Sequence, residues 1–177
     1  MLTSRERVVL ALSHKESDRI PLDLGSTTVT GMHVTTVYKL RQALGLDKPG
    51  TPVKVMDPFQ MLGEINSDLV NALGVDCVGL KTLSNRFGFK NDGWKPWTLF
   101  DGTPLLVPGE FNTEPEPNGD ILQYPLGDRS APASGRMPKD GFYFDTITRQ
   151  PPIDDSKLNV EDNLEEFGPI PDGEQFG

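Results

Sequence analysis

Between Val53 and Leu80 the spacing of apolar positions changes twice. Val53 and Val55 alternate with polar neighbours, which predicts the start of a strand. Phe59, Met61, Leu62, Ile65, Leu69, Val70 and Leu73 then recur at intervals of three and four, which predicts one apolar helix face. Asp57-Pro58 stands where that helix would begin, since the carboxylate accepts from free backbone donors and proline loses nothing at the first position. Asn66-Ser67-Asp68 offers a second cap, so the segment reads as one helix or two short ones. Gly74 is a natural stop, and Val75 to Leu80 reads as a short buried strand. Strand, helix and strand in about 28 residues is the size of one βαβ unit.

The N-terminal pattern predicts a helix from Ser4 to Ser13, with Val8, Val9, Ala11 and Leu12 as its stripe and Thr3…Glu6 as a capping box. His14, near its end, reads as a surface residue suited to the negative pole of the helix. Arg19 to Gly25 reads as a strand with Pro21 at its start or edge. The hydroxyl-rich loop Gly25 to Gly31 follows. Met32 to Leu44 is a second helix, ended by Gly45. Beyond Trp94 the pattern shortens. Trp97 to Phe100, Asp101-Gly102 and Thr103 to Val107 form a hairpin signature. Glu114 to Gly119 is a turn, Ile121 to Pro125 a strand, Arg129 to Lys139 a loop and Phe142 to Asp145 a short aromatic strand. The aromatics Trp94, Trp97, Phe142, Tyr143 and Phe144 read as packing groups.

Composition narrows the class. A chain of 177 residues can bury a real core. Its 18 glycines and 16 prolines favour many turns. A net charge of −9 argues against phosphate backbones and anionic membrane surfaces as partners. The single cysteine, Cys77, excludes an intrachain disulfide and fits a reducing cytoplasm. No apolar run approaches the length of a membrane span.

The candidate chemistry is sparse. Two histidines and one cysteine without metal-type spacing give no zinc signature. There is no P-loop, nucleophile elbow, dinucleotide fingerprint or kinase set. The polar residues placed nearest to strand ends are Asp23, Ser26 and Thr28, with His33 at the start of the second helix. Asp57 reads first as a helix cap. Lys81 and Arg86 lie just past the second strand of the βαβ unit, where either reaches an anionic group or is simply solvated.

Three blocks, SRERVVLALSHKESDRIPLDLG, VKVMDPFQMLGEINSDLVNALGVDCVGL and MPKDGFYFDTITRQPPIDD, together resemble the uroporphyrinogen decarboxylase superfamily. Within it they look like the decarboxylase-like, corrinoid-linked methyltransferase branch. The resemblance implies an α/β chain: the N-terminal half of a (β/α)8 TIM barrel, with an inserted antiparallel β meander. Residues 1–93 would be the leading helix and first βα units, 94–149 the insertion and 150–177 an acidic, poorly ordered tail. Asp23, Ser26, Thr28, His33, Asp57 and Lys81 would line a substrate pocket at the strand ends. Two departures count against tetrapyrrole decarboxylation. No Arg-rich segment follows the first strand, and Leu83 stands where the decarboxylases carry a catalytic Asp.

The resemblance then implies methyl transfer between a small methylated substrate or a corrinoid protein and an acceptor. The zinc ligands of that branch come from a C-terminal half, so no metal or cofactor is expected in this chain, and the chain alone is expected to be inactive. Zinc and a corrinoid would belong to the intact enzyme. Its partners would be the missing half or a second copy. Two alternatives remain: a non-catalytic module docking a partner chain, and a tetrapyrrole decarboxylase.

Overall fold

The computed structural model describes residues 2–80 and 82–148, and all the elements below lie in the unit Met1–Ile147. The described residues form three α-helices and two small sheets: α1 (Ser4–Leu12), α2 (Val34–Ala43), β1 (Val53–Asp57), β2 (Leu62–Gly63), α3 (Ser67–Leu73), β3 (Lys95–Thr98), β4 (Pro104–Val107), β5 (Ile121–Gln123), β6 (Gly135–Met137) and β7 (Asp145–Thr146). The first sheet has the order β2-β1-β4-β3, and the second β5-β6-β7. Only β1 and β4 run parallel; the other pairs are antiparallel.

This corrects the expectation of a half TIM barrel, because βα units do not alternate along the described chain. The reason lies at Asp57. Its carboxylate accepts from the Gln60 amide at 2.9 Å and so caps a turn instead of a helix. Met61 takes a left-handed φ of 53°, and β2 folds back on β1, pairing Val55 with Gly63 and Asp57 with Leu62. Gly63 makes this possible: a Cβ there would lie 2.9 Å from Val37 Cγ2 and 3.1 Å from Val34 Cα, so α2 could not pack so closely on a larger residue. The predicted crossover therefore shortens to α3, which starts at the second of the two caps, Asn66.

The predicted strand Val75 to Leu80 does not pair with β1. It makes a single parallel bridge, Cys77 to Asp23, beside a bond from the Asp76 amide to Leu22 O at 2.7 Å. The parallel neighbour of β1 is instead β4. The hairpin at Asp101-Gly102 is real, with Gly102 at φ 84°, but it is built into the main sheet and is not an insertion. The stretch Arg129 to Lys139, read as a loop, contains β6, and the strand expected at Phe142 begins later, at Asp145. Residues 150–177, expected to be a poorly ordered tail, lie outside the described residues.

One apolar cluster joins the layers. Val53 and Val55 of β1 and Leu105 and Val107 of β4 face the same side, since Val53 is in register with Leu105. Val34 and Val37 of α2, Leu69 of α3 and Met61 close over them. Phe111 and Phe144, with ring centroids 5.8 Å apart, link this layer to the second sheet, where Ile121 and Met137 are buried. Gln123 is fully buried there and satisfied: its Oε1 accepts from the Asn112 amide and its Nε2 donates to Asn112 O, both at 2.9 Å.

The capping box of α1 forms as read, with Thr3 and Glu6 exchanging bonds. Its apolar stripe does not bury, however. Val9 and Leu12 are exposed, and the buried residue is Arg7. Its guanidinium reaches Asp18 at 2.7 Å and Asp76 at 2.5 Å. Truncating the fully buried ring in Phe111→Ala is expected to lower the free energy of unfolding by about 3–5 kcal/mol. The same change at the half-exposed Phe100 is expected to cost under about 1 kcal/mol. Chemical denaturation measures both.

Candidate functional site

Three segments end at one cleft of about 1120 Å³. The first is the loop from Leu24 to Thr28, just past the bridge at Asp23. The second is the end of β1 at Met56 and Asp57. The third is Val78 to Leu80, just past the bridge at Cys77. Thr82, Ser84, Asn85, Arg86 and Asn91 form a further wall, and Gln60, Ile65 and Val70 the floor side.

Each rim is held by its own bonds. Asp23 accepts from the Ser26 hydroxyl at 2.6 Å, the Ser26 amide at 3.2 Å and Thr30 Oγ1 at 3.2 Å. Gly25 closes the same loop, bonding to Thr30 O from a φ of 79° that a larger residue would strain. A Cβ there would also fall 2.5 Å from Ile65 Cγ1. Beside this loop, Gly79 packs directly on it, since a Cβ would lie 2.4 Å from Ser26 O. The third wall hangs from β1: Asn91 donates to Met56 O at 2.7 Å, and Asn85 donates to Asn91 at 3.0 Å. Arg86, between Asn85 and the buried Phe87, lies over the Phe59 ring with its guanidinium carbon 4.0 Å from the centroid.

Behind the cleft sits a charge lock. The Asp76 side chain is wholly buried and receives the Leu22 amide at 2.9 Å, Arg19 at 2.6 Å and Arg7 at 2.5 Å. The backbone donor of Leu22, then Arg19, Ser4 and Arg7, hold its carboxyl far below the usual range, outweighing burial. Arg41 makes a second lock, bridging Asp47 and Asp68 from α2 to the start of α3. Hydrogen bonding to Arg41 lowers the Asp68 carboxyl to about 2.

The residues expected at the pocket divide. Ser26, Thr28 and Asp57 line the cleft. Asp23 does not line it; its carboxylate shapes the loop that does. Lys81 lies outside the described residues. His33 is elsewhere. It caps α2, its Nδ1 accepting from the Thr35 amide and hydroxyl, while Nε2–H donates to Phe142 O at 3.1 Å. These bonds fix the neutral tautomer. Partial burial lowers the His33 pKa, against the opposing pull of Phe142 O and Asp101. Asn85, Asn91, Gln60 and Gly79 carried no recognisable signal in the sequence: the Asn91 bond to Met56 O, the turn at Asp57 and the packing of Gly79 on Ser26 bring them to the cleft.

Among the described residues no group of three His, Cys, Asp or Glu side chains could hold a metal ion. No step through zinc or a corrinoid follows from this arrangement.

His33 makes stability depend on pH. The native state resists protonation while the unfolded chain binds a proton near 6.5, so stability falls as pH drops below 6.5. The His33→Asn variant, which keeps a cap acceptor, is expected to lose that slope in urea titrations at stepped pH. No protein-family model matches the chain, and no curated protein and no solved structure matches it.

Proposed function

We propose that the cleft binds a small methylated compound, and that the chain is the substrate-gripping part of a decarboxylase-like methyltransferase. The intact enzyme would move a methyl group between that compound, or a corrinoid protein, and an acceptor. The three sequence blocks supply the reaction class. The observation that carries the reading is the convergence of three chain segments, at Leu24, Asp57 and Val78, on one cleft. Ligand sites are commonly concave clefts lined by apolar groups with a few convergent polar ones, as here. Arg86 is the one cation among the described lining residues, a poor match to the many carboxylates of a tetrapyrrole. Among the described residues no helix is long and apolar enough to cross a membrane, and we place the protein in the cytoplasm.

A second reading, a module that docks a partner chain, draws support from the exposed rings of Phe100, Phe142 and Tyr143. It predicts partner binding that survives blocking the cleft.

Isotope-labelled methyl donors titrated into the protein are expected to perturb Ser26, Thr28 and Asp57 in NMR spectra. Gly79→Val, which forces the rims apart, is expected to abolish the effect. Methyl transfer to cob(I)alamin is expected only when a complementary chain is added. Failure of every donor to bind, or transfer by this chain alone, would contradict the proposal.

A further inference from the structure

Two opposite charges line the cleft without an ion-pair partner among the described residues. Asp57 lines it, and among the described residues its carboxylate accepts only from the Gln60 amide. Arg86 lines it too, and among the described residues it enters no ion pair; its contact is the Phe59 ring. The other carboxylate of the cleft, Glu64, is engaged by Lys54 at 4.0 Å. Five other arginines, Arg7, Arg19, Arg41, Arg129 and Arg136, each meet a carboxylate within 2.8 Å. Asp57 and Arg86 differ from those in lining one cleft with their charges unneutralised by any described residue.

Both are held in place. The turn bond to Gln60 fixes Asp57 at the end of β1. Arg86 is gripped on both sides: Asn85 is tied through Asn91 to Met56 O, and the Phe87 amide donates to Asn85 Oδ1 at 2.9 Å. The guanidinium rests on Phe59, two residues beyond Asp57. Asp57 and Arg86 thus line the same cleft, one at the end of β1 and the other over the ring two residues further along the chain. Groups of this kind, fixed before a ligand arrives, lose little freedom on binding.

We infer that the cleft selects a small zwitterion, a compound with a cationic nitrogen and a carboxylate, such as an N-methylated amino acid. Asp57 takes the cationic end, and Arg86 takes the carboxylate through its paired N–H groups. This rests on the proposed methylated substrate and names its class. Ser26, Thr28 and Ile65 line the same cleft, whose volume of about 1120 Å³ holds a compound of this size.

Calorimetric and NMR titrations with glycine betaine, tetramethylammonium, acetate and neutral tert-butanol test it. Betaine is expected to bind about tenfold or more tightly than either half-ligand, one charge-assisted pair being of that size. Asp57→Asn retains the turn acceptor, and Arg86→Gln retains the stem. Each is expected to weaken betaine by about tenfold. Asp57→Asn should leave acetate unchanged, and Arg86→Gln should leave tetramethylammonium unchanged. Equal binding of all four probes, betaine binding indifferent to both variants, or no betaine binding would overturn the inference. A neutral methylated donor that binds and is demethylated would overturn it while leaving the proposed function standing. Betaine binding with no methyl transfer in the complemented enzyme would do the reverse.

Discussion

The buried carboxylate of Asp76 is the constraint on which the rest of the structure depends. Donors from three places converge on it: Ser4 and Arg7 of α1, Arg19 ahead of the first extended segment, and the backbone of Leu22 within that segment. Taking a charge out of water costs several kcal/mol unless it is fully bonded. Here the bonding is nearly complete, so the ion is kept and the three elements are fixed relative to one another. Arg7 is in turn neutralised by Asp18. The segments that Asp76 aligns, Leu22 to Ser26 and Asp76 to Gly79, become the two rims of the cleft one or two residues later. A charge lock just behind the cleft thus aligns its two rims.

Elements governed by local chemistry were legible in the sequence. The capping box at Thr3, the glycine stop at Gly74 and the Asp101-Gly102 hairpin depend on neighbours within a few residues, and each is present. The βαβ unit was misread for a definite reason. Phe59, Met61, Leu62 and Ile65 have helical spacing, but apolar spacing cannot distinguish a helix face from a tight hairpin followed by a short helix. The deciding features were Asp57 as a turn acceptor and Gly63 as a close-approach site for α2. The apolar stripe of α1 misled in the opposite sense: the pattern suggested core, while the buried residue is a charged one.

The candidate site was legible in part. Ser26, Thr28 and Asp57 reach the cleft because the ends of extended segments do converge, even without repeated βα units. His33 does not, because an α2 cap faces Phe142 and Tyr143, whose rings stand edge-on to the imidazole at 5.4 and 5.3 Å. Arg86, singled out in the sequence as a cation for an anionic group, is placed by the Asn85–Asn91–Met56 bonds and the Phe59 ring, and the Asn91 bond spans 35 residues of sequence.

The central claim is that the Asp76 lock places the cleft rims. Backbone hydrogen exchange on the Arg7→Gln variant tests it most directly. The account predicts that the amides of Asp76 and Gly25, bonded to Leu22 O and Thr30 O, exchange markedly faster together, while those of β3 and β4 keep their protection. Unchanged exchange at both rims, or a uniform rise across the whole chain, would contradict it.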